Sequence, residues 1–333
     1  MTADEARARI VMVMGSPRSG TTWLGKIFDS HPDTIYSHEP DSLRRLEGIP
    51  LFIPLTQIDH YRARLISQVP RLREIRNARV VAKLPLFPKS YYSFLRFRAR
   101  CLLVAGMKVG GKQLGSLNVP DLIDRTKLQG VTWVWKSIES VGRLGILARI
   151  LPDSRATLII RHPCGVISSI LRGQAGARFG SRLSASEDYE IFNMLSETEA
   201  ARKRNLTIKR FLTMSPVERL AWRWALVNEN ALSDTSGLAN VQTVLYEDLC
   251  ADPPGVSKEL MAFAGLRWEQ QTEQFVHAST ERERSSYYAV YKNPLRAAMK
   301  WKDELNASEI ERILSTVQDT LPGKLFLESR WSV

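Results

Sequence analysis

The nine residues from Gly15 to Trp23, GSPRSGTTW, constrain this chain more than any others. They follow an apolar run, Arg9–Met14 (RIVMVM), that reads as a buried strand. They open a segment, Gly20–Ser30, whose Trp23, Leu24, Ile27 and Phe28 fall at helical spacing. Glycine at position 20 lets the backbone curl so that several N–H groups point into one cavity. The helix starting there adds partial positive charge and Thr21 and Thr22 add hydroxyl donors, so an anion is stabilised at this turn. A simple turn does not need Arg18, Ser19, Thr21 and Thr22 together.

The rest of the chain alternates in the same way. Short strands are expected at Thr34–Ser37, Val131–Trp135, Ala156–Ile160 and Val241–Leu245. Helices are expected at Gln57–Arg76, Ile138–Ile150, Pro163–Leu171, Ser186–Arg204, Ser215–Asp234, Gly255–Ala264 and Ser308–Thr320. The stretch Val80–Lys108 is broken by prolines and interleaves aromatics with bases, and Gly106–Gly115 reads as a Gly-rich loop. Strands alternating with helices imply a parallel sheet covered on both faces, hence an α/β chain of P-loop-like, three-layer α/β/α type with extra helices. No repeat, low-complexity tract or linker divides it, so residues 1–333 are expected to form one domain.

Charge narrows the function. Lys and Arg number 47 against 35 Asp and Glu, a net +12 that invites a polyanion partner. Between Asp41 and Ile150 there are 20 basic and 7 acidic residues, a net +13; the remainder has 27 against 28. The excess therefore belongs to one region, at about 41–130, and no RNP, KH, zinc or helix-turn-helix signature makes it a nucleic-acid footprint. No apolar stretch reaches the length of a membrane span and MTADEARARI is not a secretory signal. Cys101, Cys164 and Cys250 are widely spaced and odd in number, which fits reduced thiols in a cytoplasmic protein rather than a disulfide framework or zinc site.

The spacing Gly15-x4-Gly20 imitates the triphosphate loop G-x-x-x-x-G-K-[ST], but Thr21 stands where that motif has Lys. A P-loop nucleotide kinase or phosphotransferase thereby loses its metal and γ-phosphate logic and is the second reading. With Arg18 as the loop cation, PRSGTTW resembles the donor loop of sulfotransferases that use 3′-phosphoadenosine 5′-phosphosulfate (PAPS), of the bacterial or carbohydrate type. The resemblance implies that Arg18 contacts the bridging oxygen and sulfuryl group. It implies that Ser19, Gly20, Thr21 and Thr22 hold the 5′-phosphate and that Trp23 lies near the adenine, with PAP (adenosine 3′,5′-bisphosphate) as product.

A second motif agrees. Arg161 at a strand end and Ser169 eight residues on match the family's 3′-phosphate site, where a guanidinium binds as a fork and a hydroxyl adds a donor. His162 stands where the family usually has Asp or Asn, and Ser168 competes with Ser169. Val134–Ser137 (VWKS) resembles the Lys-bearing central strand. Tyr246–Leu249 resembles the family's YEDL segment, read as structural. Tyr287–Trp301 resembles the segment that closes over the donor, with Lys292 and Arg296 as phosphate contacts or as part of a solvated face.

Sulfuryl transfer needs a base for the acceptor hydroxyl and cations for charge building on the leaving phosphate and the SO3 oxygens. Arg18 and Lys136 supply the cations, and no metal is implied. Small-molecule members place His two residues after the central Lys; here that position is Ile138. Carbohydrate-type members use a Glu after the donor loop, and Ser37-His-Glu-Pro40 fits this, so Glu39 is the expected base and His38 its competitor. The acceptor is expected to be a hydroxyl of a glycan or glycolipid, then of a lipid or secondary metabolite. Arg96, Arg98 and Arg100 are expected to face an anionic or lipid-linked acceptor, a membrane surface in peripheral contact, or only solvent. Oligomeric state is not legible.

Overall fold

The structure, a computed structural model, describes residues 9–109, 117–175, 184–281 and 293–331. Five parallel strands form its sheet: β1 (Ile10–Met14), β2 (Thr34–His38), β3 (Thr132–Ser137), β4 (Arg155–Ile160) and β5 (Val241–Leu245). Their order is β2-β3-β1-β4-β5. β1 (IVMVM) and most of β4 (RATLII) are near-continuous apolar runs because both faces are covered, whereas the edge strand β5 (VQTVL) is part-exposed over its first three residues. Along β1, Met12 and Met14 face one core and Val11 and Val13 the other. The same alternation sends Trp133 and Trp135 of β3 to the first core and Val134 to the second.

Helices cover each face, giving the three-layer α/β fold. The second core is closed by α1 (Thr21–Ser30), which brings Trp23, Leu24, Ile27 and Phe28. The first takes helix Leu144–Ile150 and longer helices between β4 and β5. After β1 the chain goes to one side for β2 and β3, and later to the other for β4 and β5. The connections diverge around β1, which opens a crevice at the carboxyl ends of the strands.

Other labelled elements are α2 (Pro40–Leu43), α3 (Phe94–Val109), α4 (Pro163–Ala175), α5 (Pro216–Thr235), α6 (Tyr246–Ala251), α7 (Gln270–Glu281) and α8 (Pro294–Met299). Three expectations are corrected. Val80–Lys108 is not broken throughout: its prolines end at Pro88, and from Phe94 a Leu-, Arg- and Ala-rich stretch runs as α3 through Gly106 to Val109. Ser186–Arg204 is two helices, Tyr189–Ser196 and Glu199–Lys203, because the Asp188 and Thr198 side chains each accept an amide and start a new helix. Ile138–Ile150 is helical in the α sense only from Leu144. Before it, Ser137 Oγ accepts the Glu139 and Ser140 amides and holds the chain in a tighter turn over Ser140–Arg143. Cys101, Cys164 and Cys250 are all free thiols.

Candidate active site

The loop after β1 is tight. Arg18 takes φ 74° and Gly20 φ 92°, both in the left-handed region. A Cβ on Gly20 would lie 2.3 Å from the Tyr246 ring, so only glycine fits both the torsion and the space. Ser16 and Ser19 hydroxyls share a hydrogen bond of 2.7 Å, which draws the turn closed, and Ser19 and Thr21 are buried while Thr22 is half-buried. Gly20 caps α1 without a side chain, so the leading amides of the helix face the loop. An anion placed there meets those amides and the positive end of the helix.

Two cations flank the loop. Arg18 Nε donates to Ser169 Oγ (2.9 Å), which ties the donor-loop residue to the second motif across 151 residues. Arg161, at the end of β4, donates from Nη1 to the Arg18 carbonyl (3.2 Å) and from Nη2 to the Ala297 carbonyl of α8 (2.7 Å). Its guanidinium lies over the Tyr246 ring at 4.8 Å, and its backbone carbonyl accepts from Trp224 Nε1 (3.0 Å). Arg161 Nε, buried beside Gly165, has no hydrogen-bond partner among the described residues.

Of the two serines, Ser169 faces Arg18, and Ser168 is committed to Glu304, which also binds Arg172. Trp23 is almost fully buried: Nε1 donates to Ser279 Oγ (3.0 Å) and the ring meets Tyr246 edge-on. Arg296, on α8, is exposed; the neighbouring Ala297 is what reaches Arg161. Lys292 lies outside the described residues.

On the other side of β1, the parallel register sets His38 beside Lys136 and Val13 beside Lys136. Lys136, 1% exposed, forms an ion pair with Glu39 Oε1. Glu39 sits at φ 51°, the left-handed cap of α2, and its amide donates to the Lys136 carbonyl (2.8 Å). The two residues are thus joined through backbone and side chain. Burial pulls the Lys136 ammonium below its ordinary pKa, and the Glu39 carboxylate opposes that. His38 Nδ1 meets the Tyr36 hydroxyl at 2.9 Å, and Nε2 is 3.8 Å from Glu39 Oε1. Burial, then Lys136, Lys83 and Lys26, hold the His38 pKa well below 6.5, so this imidazole is neutral at pH 7.

Sequence reasoning missed the groups beneath. Asp41, 2% exposed, accepts from Trp135 Nε1 (3.3 Å), Ser137 Oγ (2.5 Å) and Ser140 Oγ (2.6 Å). It fastens α2, which follows Glu39, to the end of β3, which carries Lys136. The only local signal was an acid in the first turn after Pro40. Asp29 lies between Lys26 and Lys89; burial would raise its carboxyl, but the two ammoniums hold it below the usual range. In the YEDL segment, Glu247 accepts the His162 amide (3.0 Å) and Asp248 accepts from Arg330 and Trp331, which supports the structural reading.

The described site therefore joins an anion-binding turn, a buried Lys–carboxylate pair, the Arg18–Ser169 hydrogen bond and Arg161 at the carboxyl ends of β1 to β4. A family model described as "Sulfotransferase family" matches residues 11–270. Among solved structures, the sulfotransferase domain from the curacin biosynthetic pathway is similar at 20% identity, covering 93% of this chain and 98% of that one, TM-score 0.45. The sulfotransferase domain from the Synechococcus PCC 7002 olefin synthase is 18% identical, covering 96% and 95%, TM-score 0.46. Mouse sulfotransferase SULT7A1, complexed with PAP, is 12% identical, covering 97% and 89%, TM-score 0.42. Comparison with curated proteins gives no match. The family match spans most of the chain, including both arginine motifs, and the chain belongs to the sulfotransferase family.

Proposed function

We propose that this enzyme moves a sulfuryl group from PAPS to an acceptor hydroxyl by in-line transfer, with Glu39 as general base. The observation that carries the reading is the Glu39–Lys136 pair beside the Arg18 loop. PAPS supplies an activated sulfuryl group on a phosphate leaving group. Arg18 and the α1 amides fit its 5′-phosphosulfate, and Arg161 with Ser169 fits its 3′-phosphate, both standing beside the loop through Arg18. Trp23, buried against α7, backs the adenine side rather than opening onto it. Arg296 remains a phosphate contact only through the approach of α8 to Arg161.

The acceptor's O–H proton goes to Glu39 while its oxygen bonds to sulfur and the bond from sulfur to the donor phosphate breaks. Lys136 offsets charge on the sulfuryl oxygens and leaving phosphate. His38 is the second reading, favoured by its neutral imidazole and its 3.8 Å approach to Glu39. The acceptor we favour is a glycan or glycolipid hydroxyl, then a lipid or secondary-metabolite alcohol, anionic or lipid-linked because the basic surplus lies on that side. Three free thiols, with Cys164 and Cys250 buried, support a reducing, cytoplasmic setting.

The test is Glu39→Gln and His38→Ala measured separately with labelled donor across acceptor panels. Glu39→Gln is expected to lower turnover by roughly 10²–10⁴-fold with PAP affinity retained. Near-normal turnover in that variant, with a loss in His38→Ala, transfers the role to His38.

A further inference from the structure

α3 is apolar on its outward side as well as its inward one. Its inner side packs Val104 and Met107 on Ala82, Val119 and the short helix at Ala78–Val81, a small cluster separate from both sheet cores. Arg100 reinforces this side by donating to the Val81 carbonyl (2.6 Å). The opposite side collects positions 94, 95, 98, 99, 102, 105, 106 and 109 at helical spacing. Arg98 is its one charged residue. Phe94 is 75% exposed, Leu95 78%, Leu102 73% and Val109 90%. A solvent face of this composition is normally polar; a contiguous apolar one marks a surface that meets something.

The charge of the helix selects the partner. FLRFRARCLLVAGMKV has three Arg, one Lys and no acid. Arg96 reaches Asp124 at 3.6 Å in a half-exposed pair, and Arg98 lies beside the Phe94 ring. A second copy of the chain would bring the same cations against these, so self-association is electrostatically disfavoured. An apolar face carrying bases and lacking acids fits the boundary between acyl chains and anionic headgroups, where such helices lie in the plane.

We propose that α3 is an interfacial helix that docks the enzyme on an anionic lipid bilayer, its Phe94, Leu95, Leu102 and Val109 entering the headgroup region. The C-terminal end of α3 lies towards the crevice: Lys83 is in the field of Lys108 at that end and also of Lys136 and Glu39. Docked in this way, the acceptor side of the enzyme lies close to the lipid surface. The inference stands apart from the donor chemistry and holds whether or not PAP binds.

Co-sedimentation of the full chain with vesicles tests it, using phosphatidylcholine alone and phosphatidylcholine mixed with phosphatidylglycerol. The chain is expected to bind the mixed vesicles at least about tenfold more tightly, with binding weakening as salt rises. Leu95→Glu/Leu102→Glu and Arg96→Glu/Arg98→Glu are each expected to lower that binding about tenfold or more, with unchanged circular dichroism, since these side chains are exposed. Equal binding to both vesicle types, or binding unaffected by Leu95→Glu/Leu102→Glu, overturns the proposal. So does a dimer in solution that this double variant converts to monomer, which gives the face to a second copy.

Discussion

Single side chains here act through where their strand or turn ends. Arg18, Lys136 and Arg161 were legible because each sits at a strand exit in a stretch whose chemistry a plain turn does not need. The pairing of Glu39 with Lys136 was not, because it follows from register across 97 residues. His162, where the family usually has another residue, is explained by packing. Its ring stacks on Trp301 at 4.7 Å and meets Phe326 edge-on, and its buried Nδ1 has no partner among the described residues. Burial, then Arg161, pulls its pKa to about 3. A folded-state pKa below the unfolded 6.5 means that the unfolded chain takes a proton the native one refuses. The stability is complete above pH 6.5 and is lost as pH falls from 6.5 towards 3, by up to about 2 kcal/mol between pH 6.5 and 5. Neighbouring Glu247, raised by burial to about 7, acts with the opposite sign, losing stability as pH rises through that value. Urea unfolding of His162→Phe against the native chain at pH 7 and 5 isolates the first effect: the native chain is expected to lose more stability on acidification.

At the scale of elements, β1 and β4 were read to within a residue of their ends, because strands buried on both faces are near-continuous apolar runs, and β5, a part-exposed edge strand, was read at its full extent from its Val and Leu residues. The errors lay where a short-range side-chain hydrogen bond or a cap decided the outcome, as at Ser137–Ser140 and Thr198. α3 was missed for another reason: it carries apolar residues on its outward as well as its inward side, so the amphipathic pattern that announces a helix is blurred. The junction of α2 with β3 makes a direct prediction. Asp41→Ala leaves Trp135 Nε1, Ser137 Oγ and Ser140 Oγ without their acceptor in a buried place. A loss of about 3 kcal/mol in denaturant unfolding is expected. Because the junction aligns Glu39 with Lys136, kcat is expected to fall more than donor affinity.

For the whole molecule, the +12 resolves into two parts. The cations proposed for the donor, Arg18, Lys136 and Arg161, stand at the strand ends around β1, and the surplus belongs to residues 41–150, where α3 contributes four bases and no acid. The order β2-β3-β1-β4-β5 brings motifs distant in sequence to one edge of the sheet, so the site could be assembled from motif spacing, while the outward face of α3 required the packed chain. With Thr21 in place of the loop lysine and Arg18 and Lys136 as the cations, sulfuryl transfer is expected to proceed undiminished in excess chelator. A requirement for Mg²⁺ in that assay would favour a phosphotransferase. The most direct measurement is calorimetric titration of PAP into the native chain and into Arg161→Ala. The native chain is expected to bind one PAP, and Arg161→Ala to bind it roughly ten- to a hundredfold more weakly through loss of a charge-assisted contact. No binding by the folded native chain, or equal binding by both, contradicts the assignment of this crevice to the donor.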